Sequence, residues 1–321
     1  MARAVGPVSA AAQDHAKFRA LVERAQKLAP VRTAIAHPCD EVAIESAVEG
    51  ARLKLIEPVL VGPEKRIRDA AARFDIASFE LIDAEHSHDS AAKAVAEVRA
   101  GRCGALMKGS LHTDEFMAAV VARETGLRTS RRISHCFIMD VPGHSDPLII
   151  TDAAVNVAPT LEDKVHIVQN AIDLARALGV ADVRVAILSA METVNPKILS
   201  TLEAAALCKM ADRGQIVGAT LDGPLALDNA ISPEAAAIKK IDSPVAGRAN
   251  VLLVPDLEAG NMLAKSLSFL AGADAAGIVL GARVPIILTS RADAMLTRLA
   301  SFAVALFLAE ARRVRPEAAV Q

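Results

Sequence analysis

The sequence DGPLALDNAISPEAAAIKKIDSPVAGRANVLLVPDLEAGNMLAK, at residues 222–265, contains the pattern that decides the fold. An apolar run, Val251–Val254, ends in a polar turn, and a helical pattern follows that turn. Open α/β sheets carry their ligand sites on turns of this kind, beyond the carboxyl ends of the strands. The stretch therefore predicts an α/β protein with functional residues at the strand ends.

The same alternation of apolar runs and helical patterns extends over the rest of the chain. Continuous apolar runs rich in β-branched residues are typical of parallel strands that are covered on both faces. They predict two sheets, each in an α/β layer, with a cleft between the layers. The predicted strands are Arg32–Ala36, Pro58–Val61, Phe79–Ile82, Ala105–Met107, Cys136–Val141, Leu148–Thr151, Val183–Leu188, Gly218–Leu221, Val251–Val254, Gly277–Leu280 and Pro285–Leu288.

Three of the predicted helices have clear start signals. Asp40 precedes the helical pattern EVAIESAVEGARL, and Ser232 precedes a Pro at the first helical position. The sequence from Thr160 to Asp163 forms a capping-box pattern, and Gly179 is a plausible stop for the helix that it opens. These signals place helices between the predicted strands.

Composition argues against several classes of function. The 321 residues carry a net charge of −2, with no basic excess for nucleic acid and no polybasic tail for a membrane. Trp and Tyr are absent, which argues against aromatic platforms for base stacking. No apolar run approaches the roughly 18 residues that span a bilayer, and the N-terminal residues do not read as a secretory signal. Scattered cysteines without C-x-x-C pairing predict reduced thiols in a cytoplasmic protein.

Four further blocks extend the 222–265 pattern: ALMKGSLHTDE at 105–115, RRISHCFIMD at 131–140, ITDAAVN at 150–156 and LTSRAD at 288–293. Together these blocks resemble the phosphate acetyltransferase/phosphate butyryltransferase family over most of the chain. The middle blocks are more similar to the butyryl-type branch than to the acetyl-type branch.

The resemblance implies two Rossmann-like α/β/α domains, each with an open, mostly parallel sheet, and a cleft between them. This architecture is similar to that of isocitrate and isopropylmalate dehydrogenases. Residues 1–150 plus 289–321 would form the first domain, and residues 151–288 the second. The resemblance also implies an active site at the domain interface and a homodimer.

The activity that the resemblance implies is transfer of a short acyl group, acetyl or butyryl, between phosphate and coenzyme A in a ternary complex. Coenzyme A or acyl-CoA and phosphate or acyl phosphate would be the small-molecule partners. Coenzyme A is then a substrate, and no cofactor is expected. The chemistry needs a thiolate near a carbonyl, donors for the developing oxyanion and cations for the phosphate.

Ser290 and Arg291 directly follow the apolar run VPIILT, where a strand should end and a helix begin. A helix N-terminus and a guanidinium both suit an anion. The structural alternative is that Ser290 caps the helix and Asp293 closes a capping box. By resemblance, Ser290 hydrogen-bonds at the reacting centre and Arg291 holds phosphate.

The general base is open in this sequence. Acetyl-type members carry an Asp six positions after the Arg, thought to be the base for the thiol, but Thr297 stands at that position here. Asp293 lies four residues earlier, so on a helix it would share a face with Thr297. Asp293 is either the base or only a cap.

Other candidate ligand residues occur in the remaining blocks. By resemblance, Arg132 is a second anion-binding arginine, although the adjacent Arg131 leaves the register open. Lys108 begins the loop KGSLHT, which follows a strand, opens a helix and does not match the phosphate loop of nucleotide hydrolases. Gly260 and Asn261 are expected to open a helix, either as ligand groups or as a turn with an Asn cap.

Two other classes of function are alternatives to the acyltransferase. A metal- and NAD-dependent decarboxylating dehydrogenase would share the architecture, but no G-x-G-x-x-G motif occurs. The segment Glu85–Asp89 contains four possible metal ligands, yet adjacent ligands in one loop are typical of a polar turn, so no metal site is predicted. A non-catalytic protein that binds coenzyme A or acyl phosphate is best supported by Thr297.

Overall fold

A computed structural model describes residues 15–289 and 293–314, and these contain eleven strands and eleven helices. The strands are β1 (Val31–Ala36), β2 (Ile56–Gly62), β3 (Glu80–Asp83), β4 (Ala105–Lys108), β5 (Ser134–Asp140), β6 (Leu148–Thr151), β7 (Arg184–Leu188), β8 (Thr220–Leu225), β9 (Val251–Leu253), β10 (Asp274–Leu280) and β11 (Ile286–Ile287). The helices are α1 (Ala16–Ala25), α2 (Glu41–Arg52), α3 (Glu64–Ala70), α4 (Ser87–Arg99), α5 (Thr113–Val121), α6 (Leu161–Ala177), α7 (Leu199–Asp212), α8 (Leu227–Ile231), α9 (Pro233–Ile238), α10 (Leu257–Leu270) and α11 (Met295–Val314).

All eleven strands belong to one sheet, in the order β3-β2-β1-β4-β11-β10-β5-β6-β9-β7-β8. Seven of the ten pairings are parallel, and the three antiparallel pairings involve β10 or β5. The prediction of an α/β fold with a mostly parallel sheet is confirmed. The expectation of two separate sheets is wrong, because β10 and β11 fill the space between β4 and β5 and join both halves.

The helix start signals are also confirmed. The Asp40 carboxylate accepts a hydrogen bond from the Ala43 amide at 2.8 Å, and Ser232 caps α9 in the same way. Thr160 and Asp163 form a capping box at the start of α6. Gly179 follows the end of α6 with φ of 88°, a conformation in which glycine has no Cβ to clash.

The core is arranged differently on the two faces of the sheet. On one face, helices α1, α2, α6, α7 and α11 cover a single core that spans both halves of the sheet. On the opposite face there are two separate cores, one under α4 and α5 and one under α8, α9 and α10. The buried side chains are mainly Ala, Val, Ile and Leu, as the near absence of aromatic residues requires. In the described part of the chain, no helix has the length and apolar character needed to cross a membrane.

Candidate active site

Two edges of the sheet carry the loops in which a ligand site is expected. The first edge is formed by the carboxyl ends of β1, β4, β11 and β5, which all run in the same direction. The second edge is formed by the carboxyl ends of β10, β6, β9, β7 and β8, which run the opposite way. The candidate residues from the sequence are divided between these two edges.

The first edge receives Lys108 and the segment that joins β11 to α11. Lys108 is the last residue of β4, and β11, its parallel neighbour, ends at Ile287. Ser290 and Arg291 belong to the joining segment but lie outside the described residues. Asp293 is described and half-buried in the same segment. The first edge is therefore where the predicted catalytic segment leaves the sheet.

The loop after β4 is tied to the end of β1 by hydrogen bonds. The Gly109 amide donates to the Ala36 carbonyl at 2.9 Å, and the Ser110 hydroxyl donates to the His37 carbonyl at 2.7 Å. A Cβ at Gly109 would lie 2.5 Å from the Ala36 oxygen, so only glycine allows this approach. The Lys108 ammonium donates to the carbonyls of Gly109 and Leu111 at 3.1 and 3.2 Å. The loop therefore offers a fixed backbone beside the cation.

The start of α11 differs from the capping-box interpretation. The helix begins at Met295, and Ala294 supplies the carbonyl for its first turn, accepting from the Arg298 amide at 3.2 Å. Asp293 therefore precedes the helix and is not at the third helical position that a capping box requires. It also does not share a helical face with Thr297, which is buried in the first turn of α11.

Arg132 lies at the second edge, directly before β5 begins. Its Nε donates to the Asn156 side-chain oxygen at 2.8 Å, and a guanidinium nitrogen lies 3.4 Å from the Asp163 carboxylate. Asn156 is itself held by buried Asp152, whose carboxylate accepts a hydrogen bond from the backbone amide of Asn156 at 3.2 Å. Arg132 therefore lies at the opposite edge of the sheet from Lys108.

Gly260 and Asn261 also belong to the second edge, because β9 ends there and leads into α10. The helix begins at Leu257 with Asp256 as its cap, so the expectation that Gly260 and Asn261 open the helix is wrong. A Cβ at Gly260 would lie 2.9 Å from the Cβ of Ala153, and the Asn261 side chain donates to the Ala153 carbonyl at 3.3 Å. Both residues pack α10 against the loop after β6.

The segment Glu85–Asp89 forms the start of α4. The Nδ1 atom of His86 accepts from the Asp89 amide at 3.2 Å, and the Asp89 carboxylate accepts from the Glu85 amide at 2.9 Å. This reciprocal pair satisfies amides at the helix start, as the polar-turn interpretation predicted. Within residues 15–289 and 293–314 no group of three or more His, Cys, Asp or Glu side chains has a geometry that could hold a metal ion.

A polar cavity at the first edge was not predicted from the sequence. It has a volume of about 340 Å³ and lies between the ends of β1 and β4. No local pattern reveals it, because separate segments of the chain form its walls. The lining residues are His37, Cys39, Asp40, Arg66, Ser87, Ser110, Leu111, His112 and Glu115.

Comparison with known proteins places this geometry in a family. A sequence model described as Phosphate acetyl/butaryl transferase matches residues 84–306. The phosphate acetyltransferase of Rhizobium meliloti is 63% identical over 306 residues, covering 95% of this chain and 97% of that protein. The phosphate butyryltransferase of Clostridium beijerinckii is 38% identical over 294 residues, covering 91% and 97%. The crystal structure of a branched-chain phosphotransacylase from Enterococcus faecalis V583 matches with a TM-score of 0.76 at 28% identity, covering 87% of this chain and 99% of that one.

The fold and these matches define an α/β enzyme of the acyltransferase class. The chain belongs to the phosphate acetyl/butyryl transferase family. The prediction of acyl transfer between phosphate and coenzyme A is confirmed at the level of this family, and the dehydrogenase alternative is not favoured. Over the whole chain, identity is higher to this acetyltransferase than to this butyryltransferase.

Proposed function

We propose that acyl transfer between phosphate and the thiol of coenzyme A takes place at the first edge of the sheet. The family match over residues 84–306 carries this proposal, because it includes both the loop after β4 and the segment before α11. In the proposed site, Arg291 holds the phosphate group, Ser290 hydrogen-bonds at the reacting carbonyl, and Lys108 adds positive charge. Asp293 is the proposed base for the thiol.

The state of the cysteines supports direct transfer in a ternary complex over a covalent acyl-cysteine. Burial raises the pKa of the Cys39 thiol, and burial raises those of Cys103, Cys136 and Cys208 to about 11, 12 and 12. A protonated thiol is a poor nucleophile. The thiolate that attacks the acyl phosphate therefore belongs to coenzyme A, and the phosphate leaves as the thioester forms.

The preferred acyl group is proposed to be acetyl, because the chain is more similar to the acetyltransferase from Rhizobium meliloti than to the butyryltransferase. The test is an assay of free thiol released from acetyl-, propionyl- and butyryl-CoA in the presence of phosphate. We expect the highest kcat/KM for acetyl-CoA and no release without phosphate. Absence of thiol release from all three thioesters would contradict the proposed function, and a higher kcat/KM for butyryl-CoA would contradict the acyl preference.

We also propose a homodimer that uses the exposed face of α10. Met262, Phe269 and Leu270 are 62%, 86% and 84% exposed, so water contacts three large apolar side chains on one helix. Such an exposed apolar group is typical of a contact surface. We expect a dimer by light scattering and a monomer for Phe269→Asp. Val121→Asp, at an exposed position on α5, is the matched control and should remain dimeric.

Four cysteines without disulfides support a reducing, cytoplasmic location.

The two separate cores on one face of the sheet support the division into a domain of residues 1–150 plus 289–321 and a domain of residues 151–288. The division has one consequence for the sheet. Strand β11 lies before the proposed boundary at residue 288 but pairs with β4 of the first domain.

Coenzyme A serves as substrate, and we propose no cofactor, nucleic acid or membrane partner.

A further inference from the structure

A groove on the face of the sheet covered by α6 and α11 has no role in the proposed reaction. It has a volume of about 790 Å³ and lies between these two helices, beside the end of β10. The proposed reaction site is at the first edge of the sheet, whereas β10 ends at the second edge. The groove is therefore a separate cavity, and its volume falls in the range of roughly 300–1,000 Å³ that is usual for small-molecule sites.

The walls of the groove are mainly apolar. They include Leu28, Val180, Val217, Leu280, Phe307 and Val314. Val217, in the loop before β8, is 55% exposed, and Val314, at the end of α11, is 66% exposed. Water therefore contacts apolar side chains that a ligand with an apolar chain would cover.

Hydrogen bonds hold the floor and one wall of the groove in place. The Thr129 hydroxyl donates to the Gly281 carbonyl at 2.7 Å. Gly281 has φ of 80°, and a Cβ there would collide with the carbonyl oxygen of Arg132, so only glycine allows this turn. On the α6 side, the Val217 amide donates to Oε1 of Gln169 at 2.9 Å, and Nε2 of Gln169 donates back to the Val217 carbonyl at 3.0 Å. The groove is thus formed without a ligand.

Five charged side chains line the groove, and the two carboxylates among them have partners. The Asp173 carboxylate lies 3.1 Å from a guanidinium nitrogen of Arg131 and accepts from the Gln169 side chain at 3.1 Å. The Glu310 carboxylate accepts from two guanidinium nitrogens of Arg313, at 2.9 and 2.7 Å. The negative charges at the groove are therefore balanced by these two arginines.

The two remaining charges at the groove are positive. Among the residues that the structure describes, neither Arg176 nor Arg312 has a carboxylate within ion-pair distance. The half-buried Arg312 guanidinium donates to the Arg283 carbonyl at 2.7 Å. Burial lowers the pKa of Arg312, nearby Asp173 raises it, and nearby Arg131 lowers it. An anion in the groove would offset the cost of holding this charge away from water.

We propose that the groove binds a small molecule with one carboxylate and an apolar chain, and that Arg312 binds the carboxylate. Arg176, exposed at the rim, attracts the anion over a longer distance. The guanidinium fork suits a carboxylate, and the apolar walls suit the chain. The inference goes beyond the proposed function and does not depend on it, because the groove and the proposed reaction site lie at opposite edges of the sheet.

The first test measures binding of octanoate, below its micelle concentration, by titration calorimetry. Acetate is the matched probe, because it has the same carboxylate without the chain. Each methylene removed from water strengthens binding roughly fourfold. We therefore expect octanoate to bind one site per chain, at least about tenfold more tightly than acetate. No binding of octanoate, or equal affinities for the two carboxylates, would overturn the proposal.

The second test removes the proposed carboxylate partner. A hydrogen bond to a charged group contributes enough for its loss to weaken binding by about 10- to 100-fold, so we expect this loss of octanoate affinity in Arg312→Gln. Arg123→Gln is the matched control, because it removes the same charge from an exposed position after α5, outside the groove. An equal loss of affinity in both variants would assign the effect to net charge and would overturn the role of Arg312.

Val217→Asp tests the groove without disturbing the bond between Arg312 and the Arg283 carbonyl. It places a negative charge in the apolar wall, so we expect octanoate to bind at least about tenfold more weakly. Val194→Asp, at a position that is 53% exposed and outside the groove, is the matched control and should bind octanoate as the wild-type protein does. Wild-type affinity in Val217→Asp would overturn the proposal.

Coenzyme A separates the groove from the proposed reaction site. Octanoate titrated into protein saturated with coenzyme A should bind with an affinity within about threefold of that without it. Competitive displacement by coenzyme A would place octanoate at the reaction site and would overturn this inference, while the proposed function would stand. Absence of thiol release with octanoate binding intact would contradict the proposed function alone.

Two measurements distinguish other occupants of the groove. A change of mass in solution for Val217→Asp, measured by light scattering, would show that the groove is a contact between two copies of the chain. Octanoate binding that occurs only after deletion of residues 315–321 would show that the chain itself covers the groove. We expect neither result, and either one would overturn the proposal.

Discussion

Asn156 fixes the guanidinium of Arg132, because its side-chain oxygen accepts a hydrogen bond from Nε at 2.8 Å. Asn156 is only 4% exposed, and its side-chain amide also donates to the Ile133 carbonyl at 2.9 Å. The arginine is thus part of a hydrogen-bonded connection between the start of β5 and the loop after β6. This connection holds the guanidinium of Arg132 beside the loop after β6.

Arg132→Ala and Arg291→Ala should therefore differ in their effects on thiol release. Arg132→Ala leaves the buried Asn156 oxygen without its donor, so we expect about 1–3 kcal/mol of lost stability and kcat/KM within about threefold of the wild-type value. Arg291→Ala should lose roughly 2–5 kcal/mol of transition-state stabilisation, and Arg291→Lys should recover only part of it. Equal losses of kcat/KM in the two alanine variants would show that Arg132 contacts substrate.

Asp293→Asn tests the proposed base. Because α11 begins at Met295, the carboxylate is not part of a capping box. A general base contributes about 10²–10⁴-fold to the rate, so kcat should fall by that order. Asp114→Asn, an exposed carboxylate in the first turn of α5, is the matched control. Retention of more than about half of kcat by Asp293→Asn would assign thiolate formation to Ser290 and the surrounding positive charge.

Gly260→Ala tests whether Gly260 serves packing or a ligand. Alanine normally stabilises a helix interior by about 1 kcal/mol relative to glycine. Here its Cβ would lie 2.7 Å from a methyl group of Val254 and 3.0 Å from the Cα of Ala153, so overpacking should cost about 1–3 kcal/mol. Urea unfolding should show this loss, while Ser266→Ala, at an exposed position of α10, should not. Unchanged stability with a raised KM would favour a ligand role.

His135 should make stability depend on pH. Burial lowers its pKa to about 4 from an ordinary value of 6.5. Between these values the unfolded chain binds more protons than the folded protein, so stability falls as the pH falls below about 6.5. From pH 7 to pH 5 the contribution of this one group is a loss of about 2 kcal/mol.

Urea unfolding at pH 7 and pH 5 measures this loss. His135→Phe should reduce the difference in stability between the two pH values, whatever its effect on stability at pH 7. His88→Gln, which replaces an exposed imidazole, should leave the difference unchanged. An equal difference for His135→Phe and the wild-type protein would contradict the prediction.

Removal of metal ions should leave the reaction intact, because the proposed residues supply the charge that the phosphate needs. We expect thiol release from acetyl-CoA after dialysis against a strong chelator to stay within about twofold of the untreated rate, at matched ionic strength. A rate that collapses and returns with magnesium or manganese would require a metal in the mechanism.

The elements of this fold are predictable from the sequence, but their arrangement is not. Apolar runs predicted every strand, because β-branched residues mark buried strands locally. The antiparallel position of β10 between β11 and β5 has no local signal, since a continuous apolar run fits a central strand of either direction.

Prediction of the site is limited in the same way. Motif blocks identified the family and its SR pair, and the role of Arg132 as a second anion-binding arginine stays a prediction. Arg66 and His37 come together because the ends of β1 and β2 are neighbours, which requires the strand pairing. The start of α11 at Met295, later than the capping-box pattern suggested, depends on how the helix packs.

The late position of β10 and β11 in the chain has a consequence for synthesis. While the ribosome makes the chain, β4 and β5 emerge long before the two strands that will separate them in the finished sheet. Until residues 274–287 are available, each half of the protein therefore presents an unpaired inner strand, and such edges can pair with other chains. A nascent chain that stalls before this segment should be more prone to aggregate than one that stalls after it.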